Sequence, residues 1–254
     1  MPRATSSLPS ARRLRATTLL VAAGLLLPLA GCGGGQGLRG QSASQVLGTA
    51  VTAATRAGPF HFVDNDGSGS AARLVVGDTG TTSAQETLSV GRSVELVAAL
   101  VGGVGYVKAS EQTLESLFGL PTAQATRERG KWVSVTDGEK GYSRIVQSLT
   151  PAAELDNYIP QEPLEVGSPT TLRGIAVIPV SGRPAASEST SSTLQAVATL
   201  FVSVRSPNVP VGAVVSGTDV HGRKVREEVA FTRWGEDVHV ITPTGTVPLA
   251  SLLG

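Results

Sequence analysis

The sequence predicts an α+β fold in which one antiparallel sheet carries its helices gathered on one face. The chain is rich in Val, Thr, Ser and Gly, and only 16% of its residues are charged, which favours strands and turns over long helices. The predicted elements follow the order helix, strands, helices, strands, and the strands are joined by short turns. This order is typical of an antiparallel sheet with segregated helices.

The first half begins with one helix and continues as a run of strands. Residues 44–57 place apolar side chains at helical spacing, and Gly58-Pro59 ends the helix. The segment Asp64-Asn65-Asp66-Gly67 is predicted to be the first turn between strands. Five strands are expected at 60–63, 71–76, 81–90, 93–101 and 105–108.

Helices are predicted in the middle of the chain, and strands return towards its end. Ser110 can cap a helix over 111–118, and Asp137 can cap one that runs to Leu149. Pro151 opens a further short helix that ends near Tyr158. A polar stretch after Pro121 leads into a short strand at 131–135, and later strands are expected at 164–166, 171–180, 196–205, 211–218, 223–234 and 237–242.

The strand at 93–101 is apolar on both of its faces. Val94, Leu96, Ala98 and Leu100 alternate with a second apolar row, which an antiparallel sheet with one wet face does not need. Either this is a central strand beneath the helices, or a curved sheet wraps something apolar such as lipid.

The N-terminus has the organisation of an export signal. Four arginines and no acidic residue precede an apolar run at about 16–29, which is shorter than the roughly 20 residues of a membrane-spanning helix. The run ends in Leu29-Ala30-Gly31-Cys32, which resembles the bacterial lipobox, where cleavage precedes a cysteine whose thiol is alkylated with diacylglycerol. We therefore predict a signal peptide at 1–31 and a protein exported and held by lipid on the outer face of the bacterial cell membrane. An ordinary signal with a chance cysteine is the alternative, and both the general and the twin-arginine export routes stay open.

Charge and composition exclude some partners. The full chain has a net charge of +1, and loss of the four signal arginines changes it to −3. This balance lacks the basic footprint of a nucleic-acid-binding protein. Residues 32–42 are glycine-rich and are predicted to be a flexible tether from Cys32.

Two further motifs connect the sequence to a known family. Gly105-Tyr106-Val107-Lys108 leads from a strand into a helix, and Lys131-Trp132-Val133 follows one helix later. Together with the lipobox, this pattern resembles the LppX/LprG-type lipoproteins of mycobacterial-type envelopes, which share a half-barrel fold with the LolA and LolB carriers. The resemblance implies a strongly curved antiparallel sheet with helices packed on its concave face, as a single domain at residues 43–254. It also implies binding or carriage of lipids or lipidated molecules in an apolar cavity, without catalysis.

The resemblance nominates residues that would line such a cavity. They are apolar positions on the strand at 93–101 and on the two middle helices, where core packing alone is the other explanation: Leu96, Leu100, Leu114, Leu117, Phe118, Ile145, Val146 and Leu149. The ligand class implied is a lipid or glycolipid.

Other functions find weaker support in the residues. Asp64 to Gly69 match half of a calcium loop but lack its closing glutamate, and His61, His221 and His239 have no metal-ligand spacing. We therefore expect no metal and no cofactor. An envelope scaffold that acts through protein contacts is the alternative function, and a hydrolase whose site assembles only in space would show perturbed titratable groups in a cleft.

Overall fold

The fold is a curved, open sheet with helices against its inner face, and it confirms the predicted α+β class. The computed structural model describes residues 37–67, 72–185, 193–219 and 221–253. Within these residues the sheet has thirteen strands. Cys32 and the predicted cleavage residues Leu29, Ala30 and Gly31 lie outside the described part of the chain.

The first half of the domain is one helix followed by five strands. Each strand pairs antiparallel with the next, from β1 to β5. The elements are α1 (Ala43–Ala57), β1 (His61–Asp66), β2 (Arg73–Asp78), β3 (Ser83–Val90), β4 (Ser93–Val101) and β5 (Val104–Ala109).

Four helices and one short strand form the middle of the chain. β6 pairs with β5, so the helices on either side of it stay close to the sheet. The elements are α2 (Glu111–Phe118), α3 (Thr122–Glu128), β6 (Val133–Val135), α4 (Tyr142–Leu149) and α5 (Pro151–Asp156).

The last third adds the other half of the sheet. Its strands are antiparallel, except that the final short strand runs parallel to β6. The elements are β7 (Gln161–Val166), β8 (Thr170–Leu172), β9 (Ile175–Arg183), β10 (Thr193–Ser203), β11 (Pro210–Asp219), β12 (Lys224–Thr232), β13 (Val247–Pro248) and α6 (Ala250–Leu253).

The two halves of the sheet meet at β1. The strand order of the sheet is β13-β6-β5-β4-β3-β2-β1-β12-β11-β10-β9-β7, with β8 beside β9. β1 pairs with β2 on one side, where Asp64 lies opposite Val75, and with β12 on the other, where Asp64 lies opposite Val229. Inner-face residues of β1 therefore occupy the middle of the sheet.

Helix α1 is fixed at both ends by its sequence. The Ser42 hydroxyl accepts from the Gln45 N–H while the Gln45 side chain accepts from the Ser42 N–H, a capping box. At the other end Gly58 adopts a positive φ of 78°. The helix buries a stripe that includes Val46 and Ala50.

Two separate apolar clusters form the core. One packs α1 against β1 and β9–β12 and includes Phe60, Phe62 and Leu200. The other packs α2, α4 and α6 against β3–β6 and includes Leu114 and Phe118. Both clusters lie on the helix-bearing face of the sheet. The space between them is not closely packed with apolar side chains and holds a cavity.

Some of the predicted elements and boundaries were wrong, each for a local reason. β1 continues through Asp66, so Asp64 lies in a strand and not in a turn. Gly138 and Gly141 have φ values of 83° and 87°, which prevents a helix from starting before Tyr142. The polar stretch after Pro121 holds α3, which buries Ala125 but has too weak an apolar stripe to be found by periodicity.

The strand predicted at 237–242 does not form. β12 is already paired with β1 and β11, so it offers no free edge for a hairpin partner. The chain instead crosses to β3, where the Val240 N–H donates to Ser83 Oγ at 2.9 Å. On the second apolar face of β4, Ala99 is only 3% exposed and lies directly between Gln85 of β3 and Tyr106 of β5.

Candidate functional site

A cavity of about 450 Å³ opens between the two apolar clusters, on the inner face of the sheet. Strands β1–β4, β11 and β12 form its floor, and α4 and α5 cover it. Its size lies within the range of small-molecule sites. The lining residues are Phe62, Asp64, Arg73, Val75, Glu86, Leu88, Leu96, Arg144, Ser148, Glu154, Asn157, Tyr158, Val215 and Glu227.

Strand alternation places acidic and apolar side chains together on this floor. Alternate residues of a strand share one face, so Phe62 and Asp64 of β1 both point inward, as do Glu86 and Leu88 of β3. Val75 of β2 lies between them, opposite Asp64 on one side and Leu88 on the other. Apolar side chains and carboxyl groups therefore alternate across the floor of the cavity.

The two covering helices add polar groups above the floor. From α4, the Ser148 hydroxyl donates to Glu86 Oε1 at 2.9 Å. From α5, Glu154 is buried on the side of the helix that faces the cavity, and Asn157 Nδ2 donates to its Oε2 at 3.2 Å. Helix and sheet thus meet through carboxyl groups rather than through apolar packing at this place.

Asp64 is the least solvent-exposed of these acids. Its side chain is only 2% exposed, and its Oδ2 lies 3.4 Å from an Arg73 guanidinium nitrogen. Its Oδ1 is buried with no hydrogen-bond partner in the described structure, and Arg73 Nε is likewise unpaired. A buried oxygen left without a donor costs about 1–3 kcal/mol, so this atom is suited to a ligand donor.

Burial raises the pKa of the carboxyl groups around the cavity. It raises the pKa of Glu154 to about 8, with the neighbouring acids Glu86 and Asp64 adding to the effect. The pKa of Glu86 rises to about 7 through burial, although the Ser148 hydrogen bond opposes the rise. Burial and the charge of Glu227 raise the pKa of Asp64 to about 7, against the opposing charge of Arg73. The pKa of Glu227 is also raised, chiefly by burial.

The residues nominated from the sequence fall into two groups. Leu96 lines the cavity. Six others are buried in the cluster formed by α2, α4 and β3–β6, and Val146 packs at its edge, so the structure brings these seven together as packed core: Leu100, Leu114, Leu117, Phe118, Ile145, Val146 and Leu149.

The sequence analysis missed the acidic residues of the cavity. Asp64 was placed in a turn, and no role was assigned to the acids of β3 and α5. A signal was nevertheless present, since Asp64 is in phase with the buried Phe60 and Phe62, and Glu86 is in phase with Ala84 and Leu88. An acid at the apolar phase of a strand indicates a polar site beneath the helices.

A second, smaller cavity of about 240 Å³ lies on the opposite side of α5 and is almost wholly apolar. Trp234 forms part of its wall and also packs on Phe60, with ring centroids 4.5 Å apart. The indole Nε1 donates to the Pro210 carbonyl at 2.9 Å. Trp234 is therefore an anchor of the core that borders this cavity.

Another polar cluster, around Asp78, is partly exposed to solvent. His61 Nδ1 lies 2.9 Å from Asp78 Oδ1, and Arg233 also contacts that oxygen at 2.6 Å. Across the described residues, no three His, Cys, Asp or Glu side chains are grouped so that they could hold a metal ion. Asp64 and Asp66, taken above as half of a calcium loop, both lie in an extended strand.

Comparison with known proteins supports the fold and reaches no further. No protein-family model matches the chain, and no curated protein sequence matches it. Among solved structures, the chain is similar to LprF from Mycobacterium bovis, with a TM-score of 0.51 and 15% sequence identity. The match covers 80% of this chain and 97% of LprF. The predicted resemblance to LppX/LprG-type lipoproteins is thus confirmed at the level of the curved-sheet fold. No helix within the described residues is long and apolar enough to cross a membrane.

Proposed function

We propose that this protein is an envelope lipoprotein that binds an amphiphilic molecule, a lipid or a lipidated compound, in the cavity beneath α4 and α5. The observation that carries the proposal is the gap itself. Two well-packed clusters leave about 450 Å³ between them, where Phe62, Val75 and Leu88 supply apolar wall. The hydrocarbon chain of the ligand would be held there by burial of its apolar surface.

The similarity to LprF supports this proposal through the fold. A curved sheet with helices on its inner face can hold a ligand between the two layers, and the cavity occupies that place. The proposed organisation is a signal peptide at 1–31, a tether at 32–42 that carries lipidated Cys32, and one binding domain at 43–254. The tether would keep the cavity close to the membrane.

The chemistry of the cavity favours binding without catalysis. The raised pKa values in this cavity are the mark stated above for a hydrolase, but an acid–base pair typically has its two pKa values pushed apart. Here burial moves the pKa of Asp64, Glu86 and Glu154 in the same direction. The hydroxyl of Ser148 is bonded to a carboxyl group, and no histidine is among the lining residues that could serve as its base.

Co-purification of lipid tests the proposal. We would export residues 37–254 from a bacterial host, purify them without detergent, and compare the native mass before and after organic extraction. We expect about one extractable amphiphile per chain, lost on denaturation. Leu96→Trp should lower this occupancy several-fold because the larger indole side chain narrows the cavity.

The matched control is Val94→Trp on the same strand. Val94 is 60% exposed and does not line the cavity, so occupancy should stay at the wild-type level. A protein that carries no lipid and also fails to bind added fatty acid or phospholipid would contradict the proposal.

A further inference from the structure

We propose that the cavity selects amphiphiles that carry a cationic nitrogen, such as a primary ammonium group attached to an apolar chain. This inference rests on the proposed function, because it specifies the ligand of the same cavity. Four carboxyl groups line it, from Asp64, Glu86, Glu154 and Glu227. Three lie on strands of the floor and one lies on the covering helix α5, so carboxyl groups face the space from below and from above.

The protein's own cations only partly balance these acids. Arg73 contacts Asp64 at 3.4 Å, but 41% of its side chain is exposed, so solvent weakens its effect. Arg144 is the other cation in the lining, and it is exposed on α4. The buried carboxyl groups of Glu86 and Glu154 are hydrogen-bonded to Ser148 and Asn157, which are neutral.

One atom points directly to a missing donor. Asp64 is a lining residue whose side chain is 2% exposed. Its buried Oδ1 has no hydrogen-bond partner of good geometry among the described residues, although Tyr158 and Glu227 lie close to the carboxyl group. An ammonium group has three N–H donors and no acceptor. It would satisfy Oδ1 and form charge-assisted hydrogen bonds, which are about twice as strong as neutral ones.

The geometry favours an organic cation over a metal ion. Among the described residues, no three His, Cys, Asp or Glu side chains stand close enough together to hold a metal. The walls between the carboxyl groups are apolar, formed by Phe62, Val75 and Leu88. A ligand with a cationic end and a hydrocarbon body matches both features.

Binding of a cation would be coupled to loss of protons. The groups that face the site are Asp64 with Asp66 near it on β1, Arg73 on β2, Glu86 on β3, Arg144 on α4, Glu154 and Tyr158 at α5, and Glu227 on β12. Because burial raises the pKa of the carboxyl groups towards 7 and 8, they are partly protonated near neutral pH. An ammonium ion should therefore bind more tightly at pH 8.5 than at pH 5.5.

The test compares three ligands that differ only in the head group. The full chain is reconstituted in phosphatidylcholine nanodiscs, and hexylamine, hexanol and hexanoate are titrated by calorimetry, with empty nanodiscs as the blank. We expect hexylamine to bind at one site, at least about tenfold tighter than the other two, with affinity rising from pH 5.5 to pH 8.5. The double variant Asp64→Asn, Glu154→Gln should lose at least about tenfold of that affinity.

Glu165→Gln is the matched control, since Glu165 is exposed on β7 and does not line the cavity; it should bind hexylamine like the wild type. Hexanol or hexanoate binding as tightly as hexylamine would overturn the inference while leaving amphiphile binding intact. Equal amine affinity in a folded double variant would overturn it as well, and so would binding of none of the three. Failure of the proposed function is recognised separately, by the absence of both extracted and added lipid.

Discussion

Replacing Cys32 with alanine is expected to abolish acylation of the protein completely. Cys32 is the only cysteine in the chain, and its thiol is the nucleophile that the lipobox chemistry requires. Growth of an expressing bacterial host with an alkyne-tagged fatty acid should label the wild-type protein at Cys32. The variant should carry no label, and the wild-type N-terminus should begin at residue 32.

The control for this experiment is Gly37→Ala in the tether. A Cβ at Gly37 meets no atom within 4 Å, so the variant should be labelled and processed like the wild type. Label in the Cys32→Ala protein, or an unlabelled wild type, would contradict the proposed anchor. Two or three acyl chains give durable attachment, because each buried CH₂ contributes about 0.8 kcal/mol.

The second large effect is a loss of stability as the pH rises. The pKa of Glu154 is about 8 in the folded protein, against an ordinary value of 4.5, because the group is buried near other acids. The folded state therefore holds a proton that the unfolded state releases, so this stability is present below about pH 4.5 and lost as the pH rises through about 8. Asp64 and Glu86 act in the same direction, with pKa values of about 7.

Thermal and urea unfolding at pH 5 and pH 8.5 would measure this loss. Each unit of pKa difference corresponds to about 1.4 kcal/mol, so we expect the ligand-free protein to lose a few kcal/mol of unfolding free energy. That loss corresponds to a melting temperature lower by about 5 °C or more. Glu154→Gln should reduce the pH dependence, because glutamine is neutral throughout, while Asp64 and Glu86 still titrate.

The exposed Glu165 again provides the control, since Glu165→Gln should follow the wild-type pH profile. A wild-type protein that is equally stable at both pH values would contradict the assigned pKa shifts. So would a Glu154→Gln variant whose stability still falls as steeply as that of the wild type.

The sequence predicted the architecture well wherever local rules decide the structure. Strand 93–101 and helix 111–118 have the predicted bounds, because alternation, the Ser110 cap and the following glycine all agree. Resemblance to a half-barrel family led to the correct fold, although the two motifs that carried it are short. The parallel pairing of β13 with β6 depends on contacts across more than 100 residues, which no local pattern contains.

The site was harder to predict, because sequence cannot show where packing stops. Leu114 and Leu149 are as apolar as Leu96, yet they are completely buried in the second cluster while Leu96 borders the gap. The acidic residues of the cavity were not predicted for a related reason, since a charged side chain is normally solvated. Only the register that brings Asp64 beside Val75, and α5 above both, shows that these groups share one enclosed space.

The measurement that tests the central claim most directly is the position of a bound amphiphile. A long-chain alkylamine with a photoreactive group along its chain would be crosslinked to residues 37–254, and the modified residues identified by peptide mass spectrometry. We predict labels on Val75, Leu88, Leu96 and Tyr158, and their loss in Leu96→Trp but not in Val94→Trp. Labels confined to the cavity around Trp234, or to the outer face near His239, would contradict binding between the sheet and α4–α5.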